Sequence, residues 1–188
     1  MKHNLFSEFK WGMKLKLFPI LFSVCFNFIG QVSINTDSLN YYFTEILNQH
    51  RTKQNLKSMK NDILFQPFTK QWSNFMSKNN YVGHGVGGNS FQSRLNKTNL
   101  GTTIRVENCS FIPMNNWNPN YKQTKLKPFV EQYNSGEISQ FGIALLVFYT
   151  WWNSPPHYEG MMNPVTTKFY VSFTISPTGF YFSYLGTD

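Results

Sequence analysis

The sequence contains very little cysteine: Cys25 and Cys109 are the two among 188 residues. Cys25 lies in an apolar segment near the N-terminus, and Cys109 lies in the middle of the chain. If that N-terminal segment is removed, a single thiol remains, which cannot form an internal disulfide. The fold must then be held by an apolar core, and a composition of 41% hydrophobic residues with 18% aromatics is sufficient for one.

A run of basic residues is also absent, although the formal net charge is +8. The lysines and arginines are scattered singly along the chain. A surface that binds nucleic acid needs clustered positive charge. We therefore interpret the charge as a solubilising surface and expect no nucleic-acid partner.

No apolar run is long enough for a membrane helix, which needs about 20 residues. The longest run spans residues 17–30, and Lys14 and Lys16 precede it. A basic start followed by a short apolar core is typical of a secretory signal peptide. The sequence therefore predicts export without a stable membrane span after the signal is removed.

The predicted division of the chain is a signal peptide over residues 1–30 and one domain over residues 31–188. Met13 is a candidate for the true start, because the residues before it add nothing that a signal needs. Cys25 raises the alternative of a lipoprotein, but Val24 stands where a small residue should precede the cysteine. We expect the domain to be a secreted monomer.

Apolar spacing predicts three long helices. The first follows a cap at Asp37 or Ser38, and the second has Pro67 in its first turn, where a missing N–H costs nothing. The third spans residues 138–152 and is apolar on all sides, which indicates a buried helix.

Alternating residues predict strands. One strand covers residues 102–112, and a terminal β-hairpin covers residues 169–184 with a turn at residues 176–179. Helices that flank such a sheet make an α+β fold, specifically a three-layer α-β-α sandwich with a small antiparallel sheet.

Three residues on separate predicted elements are candidates for one polar site. His84 lies in the glycine-rich stretch YVGHGVGG, Glu107 lies in mid-strand, and His157 follows a Ser-Pro-Pro turn. Simpler interpretations stay open: His84 can bind main chain in a loop, His157 can be exposed after a helix stop, and Arg105 can pair with Glu107.

The order of these segments resembles the CAP superfamily, also called SCP-like or PR-1-like domains, in its bacterial form. The family has a helix ending near N-x-x-R, a histidine loop, a G-E-N strand and W-x-x-S-P-x-H with N-P downstream. Here these correspond to residues 47–51, His84, residues 106–108 and residues 151–164. The resemblance, which covers residues 37–186, implies the same α-β-α fold and a central cleft with paired histidines.

Zinc binding at His84 and His157 is a further hypothesis, which the resemblance supports. Two imidazoles and a carboxylate can bind Zn²⁺ with water in an open position. The H-E-x-x-H spacing of zinc proteases is absent, and no second glutamate clearly completes the family's set, although Glu159 follows His157 by two residues. Any metal binding should therefore be weak and exchangeable.

The sequence favours an extracytoplasmic binding module over an enzyme. The site would contain His84, Glu107 and His157, with Glu159, Trp152 and Ser154 as accessory residues. The ligand would be a small molecule, lipid, peptide or glycan. The alternatives are a metal-assisted hydrolase acting on cell-envelope or extracellular material, and a structural or adhesion module with a degenerate cleft. A serine hydrolase based on Ser154 is disfavoured, because no G-x-S-x-G segment is present.

The signal peptide can be tested directly on protein from native cells. N-terminal sequencing should give a chain that begins near residue 31, because the signal is removed on export. Intact cytoplasmic protein that begins at Met1 or Met13 would refute the assignment. A lipid-modified N-terminal Cys25 would instead identify a lipoprotein.

Overall fold

The computed structural model describes residues 34–100, 104–114, 116–119 and 124–188, so the predicted signal peptide lies outside the described residues. The elements, in chain order, are α1 (Thr36–Lys53), β1 (Lys60–Asn61), α2 (Gln66–Asn79), α3 (Phe91–Leu95), β2 (Ile104–Pro113), α4 (Lys127–Ser135), α5 (Gln140–Trp152), α6 (Pro155–Met161), β3 (Lys168–Ser176) and β4 (Gly179–Thr187).

The helices begin where polar caps or prolines permit. The Asn35 side chain accepts hydrogen bonds from the first turn of α1, so the helix begins slightly before the predicted cap. Pro67 lies in the first turn of α2 as predicted. Ser139 caps α5 by accepting from the N–H of Gly142, and α5 is buried along most of its length, as its apolar composition indicated.

The sheet has the strand order β1-β3-β4-β2. The terminal hairpin is confirmed, with β3 and β4 antiparallel from Ser176 opposite Gly179 to Lys168 opposite Thr187. Strand β2 is antiparallel to β4 along its outer side, while the two-residue β1, which the sequence did not predict, pairs in parallel with β3. Strand β2 is therefore an edge strand.

Helices cover both faces of this sheet. Phe169 and Val171 of β3 belong to the large core formed with α1 and α5, whereas Tyr170 between them packs with residues of α2 on the other face. Strand β4 is buried along its whole length. This arrangement confirms the three-layer sandwich, and within the described ranges no helix is long and apolar enough to cross a membrane.

Side chains cover part of the outer edge of β3, beyond the short β1. The Asn40 amide donates to the carbonyl of Val171 at 2.9 Å and accepts from its N–H at 3.0 Å, as a neighbouring strand would. Lys70 donates to the carbonyl of Phe173 at 2.6 Å. Backbone groups that would otherwise lack a partner are thereby satisfied.

A buried arginine connects the end of α1 to the segment after α6. Arg51 is fully buried and donates to four backbone carbonyls, those of Lys57, Met161, Asn163 and Thr166. A buried charge is tolerated when hydrogen bonds compensate for its lost hydration. Arg51 therefore holds the C-terminal end of α6 and the following loop against α1.

The buried hairpin predicts a strong effect of truncating Phe173, which is 6% exposed and packs against Phe182. Phe173→Ala should lower the free energy of unfolding by about 3–5 kcal/mol, because a phenylalanine lost from a core leaves a cavity. Ile175→Ala on the same strand is the matched control, since Ile175 is 44% exposed. Chemical denaturation measures both, and equal small losses would contradict the assigned packing.

Candidate functional site

The candidate site lies at the edge strand β2, where the two helical layers meet. Glu107 and Cys109, two residues apart on β2, both point to the α2 side of the sheet, and Cys109 packs there against Trp72. On the opposite side α6 contacts β2, and the Asn108 amide donates to the carbonyl of His157 at 3.1 Å. Loop residues from one layer and α6 from the other can therefore meet across this edge.

Neighbouring side chains anchor the glycine-rich loop that carries His84. Trp72 Nε1 donates to the carbonyl of Gly83, and the Tyr81 hydroxyl donates to the carbonyl of Gly85. A Cβ added to Gly85 would lie 2.5 Å from Cα of Ser90, so the loop closes on itself more tightly than a larger residue permits. His84 is therefore held between two fixed peptide groups.

A buried ion pair between Glu107 and Arg94 forms the base of the site. Arg94 Nη1 and Nη2 donate to the two carboxylate oxygens at 2.8 and 2.7 Å. The Glu107 side chain is 1% exposed, and the guanidinium carbon lies 3.6 Å from the ring centroid of Trp72. Bidentate, charge-assisted hydrogen bonds of this kind are strong and directional, so the carboxylate is fixed in place.

The fixed carboxylate orients the His84 ring. Its Nδ1 lies 3.2 Å from Oε2 of Glu107, and its side chain is 51% exposed. When Nδ1–H donates to the carboxylate, Nε2 is left as an acceptor, and it has no partner among the described residues. Arg94 also donates to the carbonyl of His84 at 3.1 Å, which ties the loop to the same ion pair.

His157 reaches the site from the first turn of α6. Pro155 and Pro156 begin this short helix rather than only ending the preceding one, so the imidazole is carried by a helix and is half-buried. Its ring centroid lies 5.9 Å from that of His84. Burial lowers the pKa of His157, and a charge on His84 lowers it further, so the neutral form of this imidazole is favoured.

An open cleft of about 330 Å³ lies over His84 and Glu107, and His157 is not among its lining residues. Its walls are formed by His84, Phe91, Val106, Glu107, Pro156, Glu159, Gly160 and Asn163. Of the accessory residues predicted from the sequence, Glu159 lines the cleft. Trp152 instead packs on His50 and Tyr158, and Ser154 uses its carbonyl to accept from the N–H of Tyr158 at the start of α6.

The sequence matches the cysteine-rich secretory protein family, or CAP, over residues 44–185, well over half of the chain. The chain belongs to the CAP family. Its fold is similar to that of an outer surface protein from Borrelia burgdorferi, with a TM-score of 0.57 and 16% identity over 82% of this chain and 96% of that one.

A second solved structure has the same fold. An extracellular protein containing a SCP domain from Bacillus anthracis gives a TM-score of 0.52 and 17% identity, covering 81% of this chain and 41% of that protein. At these identities the two likenesses establish the fold alone. A comparison with curated protein sequences finds no significant match.

Arg94 is the component of this CAP site that sequence reasoning missed. The sequence offered Arg105 as a partner for Glu107, but Arg94 holds the carboxylate, and the Arg105 side chain lies outside the part that the structure describes. Arg94 sits on α3, and only folding brings it to β2. Ser90, which caps α3, was the local signal for this short helix.

The fit of a metal ion to this CAP site can be tested on its ligand atoms. His84, Glu107 and Cys109 each offer one ligand atom, and these three atoms lie within 4.8 Å of one another. However, Arg94 occupies both carboxylate oxygens. Burial, followed by the charge of Glu107, raises the pKa of the Cys109 thiol well above its usual value, whereas a metal needs the thiolate. These three residues therefore do not fit Zn²⁺ at neutral pH, and zinc binding at His84 and His157 stays a prediction.

The energetic role of the ion pair can be measured with a double-mutant cycle. Arg94→Met and Glu107→Leu should each lower the free energy of unfolding by about 3–5 kcal/mol, because each leaves a charge buried without its partner. The double variant should lose less than the sum of the two, with a coupling above about 1 kcal/mol.

The exposed pair of Lys127 and Glu131, 3.8 Å apart on α4, provides the control cycle. Its coupling should be indistinguishable from zero, because water and salt screen exposed charges. Additive losses for Arg94 and Glu107 in the same denaturation experiments would mean that the buried pair does not act as a unit.

Proposed function

We propose that this chain is exported and acts outside the cytoplasm as a binding module, with its ligand in the cleft beside His84, Glu107 and His157. The observation that carries the proposal is the oriented His84 ring. Its Nδ1 is held by a carboxylate that Arg94 in turn fixes, while Nε2 has no described partner in a half-exposed position. A preorganised donor or acceptor lowers the entropic cost of binding.

Export is supported by two independent observations. The N-terminal sequence has the basic start and short apolar core of a signal peptide. The two solved structures named above are described as an outer surface protein and an extracellular protein. Together with family membership, these observations favour a function outside the cytoplasm.

The composition of the cleft favours a small polar ligand. His84, Glu159 and Asn163 offer hydrogen-bonding groups, whereas Phe91 and Pro156 supply limited apolar surface. A volume of about 330 Å³ is at the small end for ligand sites. These features suit part of a peptide or glycan better than a long lipid tail.

A hydrolase is the second candidate, because a carboxylate that orients a histidine is also the arrangement of a general base. Binding is better supported for two reasons. The cleft-lining residues include no serine, threonine, cysteine or lysine, so covalent catalysis by a hydroxyl, thiol or amine has no candidate residue there. The carboxylate that would help to hold a catalytic metal is already paired with Arg94. The adhesion alternative predicts that His84 and His157 can both be changed without effect.

The proposed site can be tested through the imidazole NMR signals of the three histidines in the domain. His50 serves as the internal control, because it lies away from the site and bonds to Ile46 and Tyr149. Pools of short peptides and of oligosaccharides are added to labelled protein. We expect the signals of His84 and His157 to shift with one pool while that of His50 does not. Combining His84→Ala with His157→Ala should weaken binding at least about tenfold, which is roughly 1.4 kcal/mol.

The matched control is His50→Gln, which should leave the affinity unchanged. Unchanged affinity in the double histidine variant would contradict the proposed site. Product formation that stops with a chelator and returns with Zn²⁺ would favour the hydrolase instead. Failure of every pool to perturb the two histidines, together with normal adhesion by the double variant, would favour the adhesion module.

A further inference from the structure

Arg94 uses nearly all of its N–H donors in hydrogen bonds within the site. A guanidinium has five N–H donors. Two of them bind the carboxylate of Glu107, one binds the carbonyl of His84, and Nε donates to the carbonyl of Asn89 at 3.3 Å. The flat face of the group stacks on Trp72. The cation is thus fixed beside the ligand atoms of a potential metal site.

The geometry points to Arg94 as a built-in cation that occupies the place of a metal beside Glu107 and conceals a latent metal site formed by His84, Glu107 and Cys109. Removal of the guanidinium should expose an imidazole–carboxylate–thiolate site for a divalent transition metal. This inference does not depend on which ligand the cleft binds, so it can fail or succeed separately from the proposed binding function.

The spacing of the three ligand atoms suits one tetrahedral ion. Bond lengths of about 2.0 Å to nitrogen and oxygen and about 2.3 Å to sulfur place neighbouring ligand atoms about 3.3–3.7 Å apart. Here Nδ1 of His84 lies 3.2 Å from Oε2 of Glu107 and 4.0 Å from Sγ of Cys109. All three ligand atoms lie within 4.8 Å of one another, so the side chains must approach each other by roughly 1 Å to share one ion.

Charge repulsion explains why the site is closed in the natural chain. An ion about 2 Å from Oε2 of Glu107 would lie within about 5 Å of Nη2 of Arg94, since that nitrogen is 2.7 Å from the same oxygen. The guanidinium already neutralises the carboxylate and repels a second cation at this distance. Arg94 therefore supplies the positive charge that Glu107 needs, so no metal ion is required to hold the carboxylate in place.

The test is a Co²⁺ titration of the full natural chain and of Arg94→Met at about pH 8, because a thiolate bound to Co²⁺ gives a charge-transfer absorption in the near ultraviolet. Methionine keeps an apolar side chain against Trp72 but removes the charge and the donors. The natural chain should show no such band. Arg94→Met should bind Co²⁺ at least about 100-fold more tightly and show the band, because a neighbouring unit charge has been removed.

Two matched variants assign the ligands in the Arg94→Met background. Cys109→Ser should abolish the band, and His84→Ala should weaken Co²⁺ binding, whereas His50→Gln should change neither. A variant that folds only when metal is added supports the inference as well. A thiolate band in the natural chain, or no band and no gain in affinity in Arg94→Met with or without folding, would overturn it.

Discussion

Burial of the β3–β4 hairpin on both faces is the constraint on which the rest of the fold depends. Strand β3 is buried on both faces from Phe169 to Phe173, so water is excluded from each face there. Helices α1 and α5 cover one side and α2 covers the other. Because β4 lies in the centre and β2 at the edge, the helical layers and their loops can approach each other only around the border of the sheet.

The candidate site lies at this border, where residues from both helical layers meet. His84 comes from the layer of α2, His157 comes from the layer of α5 and α6, and Glu107 belongs to the edge strand between them. A carboxylate at such a position is buried and needs compensation. Arg94 supplies it and simultaneously fixes the histidine loop through the carbonyl of His84, so one ion pair sets both the electrostatics and the shape of the site.

The sequence was sufficient to predict the elements with strong local patterns. The long helices and the terminal hairpin follow from periodicity, and the order of segments indicated the fold family. The two-residue β1 was missed because its pairing with β3 is a tertiary contact. The partner of Glu107 was missed for the same reason: Arg105 was nearer along the chain, but α3 brings Arg94 closer in space.

Pairing of the Asn40 amide with Val171 affects how this protein meets its own copies. A strand edge with free N–H and C=O groups can recruit a strand from another molecule and begin an extended assembly. The Asn40 amide pairs with both the N–H and the carbonyl of Val171 without adding a strand. Lys70 places a positive charge at Phe173, two residues further along the same edge. This border of the sheet thus offers fewer unpaired backbone groups to a strand from another molecule.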